Sequence, residues 1–213
     1  MRNVVDLWLI ERDETHAMRI TGGQAARRHL KVPKGLHVRP TPDRVKQAIF
    51  NSLGDRVAGA RVLELFGGSG ALGLECLSRG AKSTVCVEKS SRHAEFIRRN
   101  VAAAGLAGAS FQVRVQDVFP AVRQMAVEGM EFELIVADPP YGEKNVGRRS
   151  ESLAQQLLDE PDLVRLLNPG GLLVLGHARR DSLTLPEVWE EVRMLKHGDN
   201  VMRFLRPATH GED

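Results

Sequence analysis

From Ala60 onward, short apolar runs alternate with segments of helical periodicity, and no other feature narrows the available folds as much. The runs Arg61–Phe66, Thr84–Glu88, Ser110–Val115, Phe132–Asp138 and Leu172–Gly176 have the length of strands. Ala71–Ser78, Arg92–Ala104, Phe119–Val127 and Ser152–Leu167 read as the helices between them, the last interrupted near Pro161. A helix between two strands returns the chain to its starting end, so the strands pair in parallel. The pattern predicts an α/β fold, a doubly wound sheet with helices on both faces. Beyond Pro186, Trp189–Leu195 and Val201–Arg206 flank the turn His197-Gly198-Asp199-Asn200, which suits an antiparallel pair finishing the sheet. At 213 residues there is room for one well-cored domain and a small appendage.

The segment ahead of Ala60 has a different character. Residues 1–17 show no clear pattern and are expected to form a poorly ordered arm. Met18–Thr21 and His29–Val32 read as two short strands around Gly22-Gly23, so 18–42 is expected to be a small basic β-hairpin extension. Thr41 before Pro42 suits an N-cap followed by proline at the first helical position. The helix after it sets Val45, Ile49, Phe50 and Leu53 on one face. Charge is concentrated here. Between Arg19 and Lys46, eight Lys/Arg stand against Asp43 alone, a net +7, which leaves −4 for the rest of a chain of net +3. Such asymmetry is the footprint of a polyanion-binding face. No apolar run approaches the roughly 20 residues of a membrane span, and Leu7-Trp8-Leu9-Ile10 is too short and too acidic in its surroundings for a signal peptide. The two cysteines, Cys76 and Cys86, lack metal-ligand spacing, so a cytoplasmic, disulfide-free chain without a metal is expected.

Two strand ends carry chemistry. Glu64-Leu65-Phe66-Gly67-Gly68-Ser69-Gly70-Ala71-Leu72-Gly73 joins the first strand of the sheet to its first helix, and its glycines would let backbone approach a ligand closely. Glu88, eighteen residues past Gly70, ends the second strand, where a carboxylate can accept from both hydroxyls of a ribose. A dinucleotide and S-adenosylmethionine fit equally to this point. Glu64 would repel a pyrophosphate but favour the ammonium of a methionine-like group, and Asp117 after the third strand could accept from an adenine amino group. These acids point to S-adenosylmethionine, with Glu64, Phe66, Gly67, Gly68, Gly70, Glu88, Asp117 and Asp138 as its candidate contacts. At the end of the fourth strand, Asp138-Pro139-Pro140-Tyr141 holds a carboxylate, carbonyls and an aromatic ring on a frame stiffened by two prolines. That set suits a planar ring with an exocyclic amino group, with Asp138 and the Pro139 carbonyl accepting its hydrogens and Tyr141 stacking on it.

From about Met18 to Arg206 the sequence resembles the RsmD family of 16S rRNA (guanine-N2) methyltransferases. The resemblance rests on Arg19-Ile20-Thr21-Gly22-Gly23, Arg39-Pro40-Thr41-Pro42-Asp43-Arg44-Val45, Gly68-Ser69-Gly70-Ala71-Leu72-Gly73-Leu74-Glu75, Leu77-Ser78-Arg79-Gly80-Ala81 and Asp138-Pro139-Pro140-Tyr141. Glu64 stands where the family more often has aspartate, Ala26 where it has glycine and Gln47 where it has glutamate. The resemblance implies a Rossmann-like seven-stranded S-adenosylmethionine-dependent methyltransferase sheet over 43–207, its last strand antiparallel, with a tail at 208–213. It also implies methylation of a guanine N2 amino group in small-subunit ribosomal RNA; a monomer is the default expectation, with no membrane partner. Arg19, Arg27, Arg28, Arg39, Thr41 and Arg44 would then hold RNA beside the pocket, although Arg39 and Thr41 could instead cap the helix beginning near Asp43. Arg79 and Cys76 read as structural, and His177, just past a strand end, as incidental. The alternatives are an adenine-N6 or other amino methyltransferase, in which asparagine often replaces Asp138, a nicotinamide oxidoreductase, and a non-catalytic RNA-binding assembly factor.

Overall fold

The computed structural model describes residues 14–33, 41–106, 110–141 and 148–208. Arg39 and most of the expected N-terminal arm lie outside them. Two strands, β1 (Glu14–Arg19) and β2 (His29–Pro33), pair antiparallel as a separate two-stranded sheet. Helix α1 (Asp43–Leu53) and a 3-10 turn (Gly54–Val57) lead into the alternating region. There β3 (Arg61–Leu65), α2 (Ala71–Ser78), β4 (Ser83–Glu88), α3 (Ser91–Ala104), β5 (Ser110–Val115), α4 (Val118–Val127) and β6 (Phe132–Ala137) come in turn. Short helices α5 (Leu153–Leu158) and α6 (Pro161–Arg165) precede β7 (Leu167–Ala178), and the hairpin β8 (Trp189–His197) and β9 (Asn200–Pro207) completes the sheet.

The seven strands lie in the order β5-β4-β3-β6-β7-β9-β8, with β9 antiparallel to β7. The order reverses between β3 and β6, where Leu65 stands in register with Ala137. The loop after β3 and the tetrapeptide after β6 therefore begin side by side at the C-terminal ends of two central strands. A crevice at such a reversal is where open α/β sheets bind ligands.

Two apolar layers cover the sheet. On one face Leu63, Leu65, Ile135 and Ala137 meet Val118, Val122, Met125 and Leu157. On the other, Val62, Leu134, Val136 and Val174 meet Val45, Ile49 and Phe50 of α1 and Leu72 and Cys76 of α2. The stripe expected on α1 is thus its buried face, and each such side chain contributes about 1.5–3 kcal/mol of burial. Every residue of α2 is buried, because the extension covers the side that the sheet leaves open. Met18, Ile20, Leu30 and Val32 pack there on Ala71, Leu74 and Ala104 as a third apolar cluster.

Several boundaries differ from expectation for physical reasons. The strand ending at Gly176 starts five residues earlier, at Leu167, and continues to Ala178, so His177 lies inside it. Ser152–Leu167 splits into two short helices because Pro161 opens the second of them, capped by the Glu160 side chain. The hairpin turn is not the two glycines but the whole stretch from Ile20 to Arg28, in which Arg27 takes a positive φ of 72° and its N–H donates to the Ile20 carbonyl.

Candidate active site

Asp138 stands two residues beyond Val136 and so faces the α1 side of the sheet. Its Oδ2 accepts a 2.6 Å hydrogen bond from the Thr41 hydroxyl. Thr41 is not the N-cap of α1: Pro42 takes that position, without a side-chain cap bond. The Pro42 carbonyl accepts from the N–H groups of Val45 and Lys46, and the threonine one step outside is left to reach the acid. The second oxygen of Asp138 lies against Gly176 of β7, where an added Cβ would sit 2.3 Å from Oδ1. Pro139 is buried, Pro140 exposed and Tyr141 half-buried. The Tyr141 hydroxyl donates to Oδ1 of Asn200, the first residue of β9. Thr41, Gly176 and Asn200 thus complete a frame around the tetrapeptide. Sequence reasoning missed the last two, and only the interruption of an apolar strand by Gly176 hints at either.

The glycine loop is tight for reasons internal to the protein. A Cβ on Gly67 would sit 2.4 Å from Cys86 Sγ, one on Gly70 2.9 Å from Ile97, and one on Gly73 2.6 Å from Glu64 Oε2. Gly70 adopts φ 74° as the N-cap of α2. Gly68 is the exception: at φ 57°, its missing side chain would meet nothing nearer than the Phe66 carbonyl at 3.9 Å. Phe66 itself has φ 59°, an uncommon conformation for a bulky residue and one that marks the loop as strained. Ser69 is tied down from behind. Its carbonyl accepts from Asn100 Nδ2 at 2.8 Å, and its hydroxyl approaches Met18 sulfur at 3.7 Å.

Glu88 ends β4 and grips both ends of the adjoining turns, its Oε2 accepting from Gly68 N–H and its Oε1 from Ser90 N–H, each at 2.8 Å. Burial alone would raise its carboxyl, but the His93 side chain and those two N–H groups outweigh it and hold the value below the ordinary range. Glu64 is not open at the strand mouth as expected. It is 2% exposed beneath the first turn of α2, where Oε1 accepts from Leu72 N–H at 3.1 Å. Burial pushes its carboxyl up to about 7, against the opposing pull of the Cys86 thiol and the Gly73 and Leu72 N–H groups. Asp117 is exposed and caps α4, with Oδ1 accepting from Phe119 N–H at 3.1 Å.

The basic residues divide. Arg19 donates from Nε to Asp43 at 2.8 Å, close in sequence to Thr41, and Arg44 is exposed on the same helix start. Arg27 and Arg28 are exposed too, and they belong to the turn that docks on Ser78, the last residue of α2. Their backbone lies beside Arg19: Arg27 N–H donates to the Ile20 carbonyl at 2.8 Å and Ile20 N–H donates to the Arg28 carbonyl at 2.9 Å. Lys46, counted with the basic face, is fully buried, donating to the Arg19 carbonyl and lying 3.2 Å from Asp43. Burial lowers its pKa, the Asp43 carboxylate resisting.

The sequence blocks of the resemblance meet in that docking. Glu75 on α2 accepts from Thr21 N–H at 2.7 Å, from the Thr21 hydroxyl at 2.8 Å and from Arg79 Nε at 3.0 Å. Ser78 donates to the Gly22 carbonyl at 2.5 Å and accepts from Ala25 N–H at 2.9 Å. Arg79 also lies 4.8 Å over the Phe50 ring, the structural place expected of it. His177 is buried, its Nε2 accepting from Arg203 at 3.2 Å and its other nitrogen facing the Ala178 carbonyl at 3.0 Å. Burial and the Arg203 charge lower its pKa.

A family profile described as Conserved hypothetical protein 95 matches residues 18–206. The chain is 36% identical over 202 residues to Ribosomal RNA small subunit methyltransferase D of Escherichia coli K12, covering 92% of each protein. It is 28% identical over 172 residues to the protein of the same name in Haemophilus influenzae, covering 81% of this chain and 84% of that one. The solved structure of a hypothetical protein from Thermus thermophilus is 31% identical and superposes with a TM-score of 0.69 over 89% of this chain and 99% of the other.

Proposed function

The chain belongs to the Conserved hypothetical protein 95 family, and from that premise we propose that it transfers a methyl group from S-adenosylmethionine to the exocyclic N2 amino group of a guanine in small-subunit ribosomal RNA. One observation carries the reading: Asp138-Pro139-Pro140-Tyr141 stands at the topological switch beside the glycine loop, its carboxylate held on one side by Thr41 and confined on the other by Gly176. The name of the Escherichia coli relative, which this chain matches over 92% of its length, supports the substrate.

The residues fit the donor. Glu88 spends one lone pair of each oxygen on a backbone N–H and keeps others for the two ribose hydroxyls. Gly68 leaves open space beside its backbone, and Asp117 has an oxygen beyond its capping bond to offer an adenine amino group. Glu64 serves the loop rather than the ligand: it braces Leu72 from below and occupies the space that only a glycine at position 73 leaves free. When bound, S-adenosylmethionine supplies a methyl group activated by its sulfonium charge.

The chain's own task is placement. A guanine amino nitrogen is a weak nucleophile because its lone pair is delocalised into the ring. Asp138 and the Pro139 carbonyl accept its two hydrogens and turn that lone pair toward the methyl. Orientation of this kind can recover about 7–11 kcal/mol of a barrier. Tyr141, steadied at its hydroxyl by Asn200, offers a ring face on which the extruded base stacks, a contact worth about 1–3 kcal/mol. Arg19 and Arg44, at the helix start that carries Thr41, hold the flanking phosphates. The enzyme works in the cytoplasm as a monomer on ribosomal RNA or an assembling subunit.

Small-subunit RNA from cells lacking this protein, incubated with it and labelled S-adenosylmethionine and then digested for mass spectrometry, should yield label in N2-methylguanosine. Label in N6-methyladenosine would replace the substrate, and no label in any nucleoside would overturn the reading. Asp138→Ala should lower turnover about a hundredfold or more while calorimetric affinity for S-adenosylmethionine stays within a few fold.

A further inference from the structure

We propose that Thr41 is a positioning residue for the transfer step, its hydroxyl orienting the Asp138 carboxylate and making that orientation depend on the seating of the N-terminal extension. The inference rests on the methyl-transfer reading above and adds to it a residue that acts through Asp138.

The hydrogen bond from Thr41 Oγ1 to Asp138 Oδ2 is 2.6 Å long and spans 97 residues of sequence. A length in that range is typical of a hydroxyl donating to an ionised carboxylate, a stronger bond than a neutral pair makes. The carboxylate has little room to turn elsewhere, since Gly176 closes one side so nearly that a single Cβ would collide with Oδ1 at 2.3 Å. Between the hydroxyl and the glycine, one rotamer of Asp138 is selected. The bond on Oδ2 thus sets the direction in which the whole carboxylate meets an amino group.

Thr41 is itself placed by the residues immediately after it. Pro42 and Asp43 begin α1, and Asp43 takes Arg19 Nε at 2.8 Å on Oδ2 and Lys46 Nζ at 3.2 Å on Oδ1. Lys46, wholly buried, donates in turn to the Arg19 backbone carbonyl at the end of β1. The next residues of the extension continue the chain of contacts, with Thr21 bound twice to the buried Glu75. A shift of the extension would move Arg19, then Asp43, then the start of α1 and Thr41. An extension that also meets RNA is thereby linked to the geometry of the acid.

The test compares Thr41→Val, which keeps shape and loses the hydroxyl, with Thr41→Ser, which keeps the hydroxyl, using single-turnover and steady-state methyl transfer to small-subunit RNA. Thr41→Val should lower kcat by about 10- to 100-fold, the loss of one charge-assisted hydrogen bond, with KM for RNA and affinity for S-adenosylmethionine within about twofold of wild type. Thr41→Ser should recover most of kcat. In the Asp138→Ala background, Thr41→Val should change nothing further, since the group it orients is gone. An unchanged kcat in Thr41→Val, a loss confined to KM, or a Thr41→Ser as slow as Thr41→Val would each overturn the proposal. Should Thr41→Val fail to fold by circular dichroism, Thr41→Ala against Thr41→Ser carries the same comparison. A fully active Asp138→Ala would instead sink the underlying reading of the site, so the two failures are told apart.

Discussion

Glu64 holds a carboxyl at 2% exposure, with its value pushed up to about 7 by burial. A carboxyl raised above its unfolded 4.5 binds its proton more tightly in the folded chain. Its contribution to stability is therefore complete below pH 4.5 or so and is lost as pH rises through about 7, a decline of roughly 3 kcal/mol. Glu64→Gln, followed by denaturant unfolding between pH 5 and 8, should flatten that decline; equal slopes in variant and wild type would assign the titration elsewhere. Gly176 makes the second prediction at this scale. Gly176→Ala forces the Asp138 carboxylate away from the 2.3 Å approach, so turnover should fall at least tenfold (on the order of 1.4 kcal/mol of barrier) while S-adenosylmethionine still binds. A variant with wild-type turnover would mean that the carboxylate position is not critical. Glu64 and Gly176 were unequally legible. The sequence shows an acid before the glycines, but not that helix α2 would roof it over.

Asn100 joins three elements through one side chain. On α3, its Oδ1 accepts from Lys31 N–H at 2.8 Å, and its Nδ2 donates at 2.8 Å to the Lys31 carbonyl of β2 and to the Ser69 carbonyl of the glycine loop. The amide completes the backbone edge of the extension as a neighbouring strand would, and at 1% exposure no water replaces it. Removing it leaves three backbone groups without this partner, at about 1–3 kcal/mol for each that water cannot reach. Asn100→Ala should therefore weaken S-adenosylmethionine binding about tenfold or more by calorimetry and open the extension to limited proteolysis between residues 20 and 31. Wild-type affinity would uncouple the extension from the loop. The same docking explains why Arg19-Ile20-Thr21-Gly22-Gly23 and Leu77-Ser78-Arg79-Gly80-Ala81 are such specific blocks. Gly23 has φ 75° and would put a Cβ 1.8 Å from the Ser78 carbonyl oxygen. Those motifs are the two halves of a seam between extension and sheet domain, a role invisible while they are 50 or more residues apart in sequence.

Across the whole molecule, the cations of the extension and of the start of α1 gather around the end of β1. Arg19 and Arg44 accompany Thr41 near Asp138, and Arg27 and Arg28 close the turn that follows β1, their backbone paired with Ile20. Arg44→Glu should lower both RNA affinity and turnover. Arg27→Glu with Arg28→Glu should weaken affinity and reduce the salt dependence of binding by about 0.7–0.9 in log–log slope for each phosphate no longer neutralised, with kcat at saturating RNA unchanged. An unaltered slope would remove that turn from the RNA path. The alternating order of strands and helices, the parallel sheet with its antiparallel finish, and the residues at the tips of β3, β4 and β6 were all readable from the chain, because period and strand-end position are local properties. Local pattern could not reveal that Lys46 turns inward, that Gly67, Gly70 and Gly73 make room for the protein's own side chains, or that Thr41 meets Asp138 instead of capping a helix. Those outcomes depend on which surfaces press together when α1 and the extension close over the sheet, and contact between distant segments is set by the packing of the folded chain.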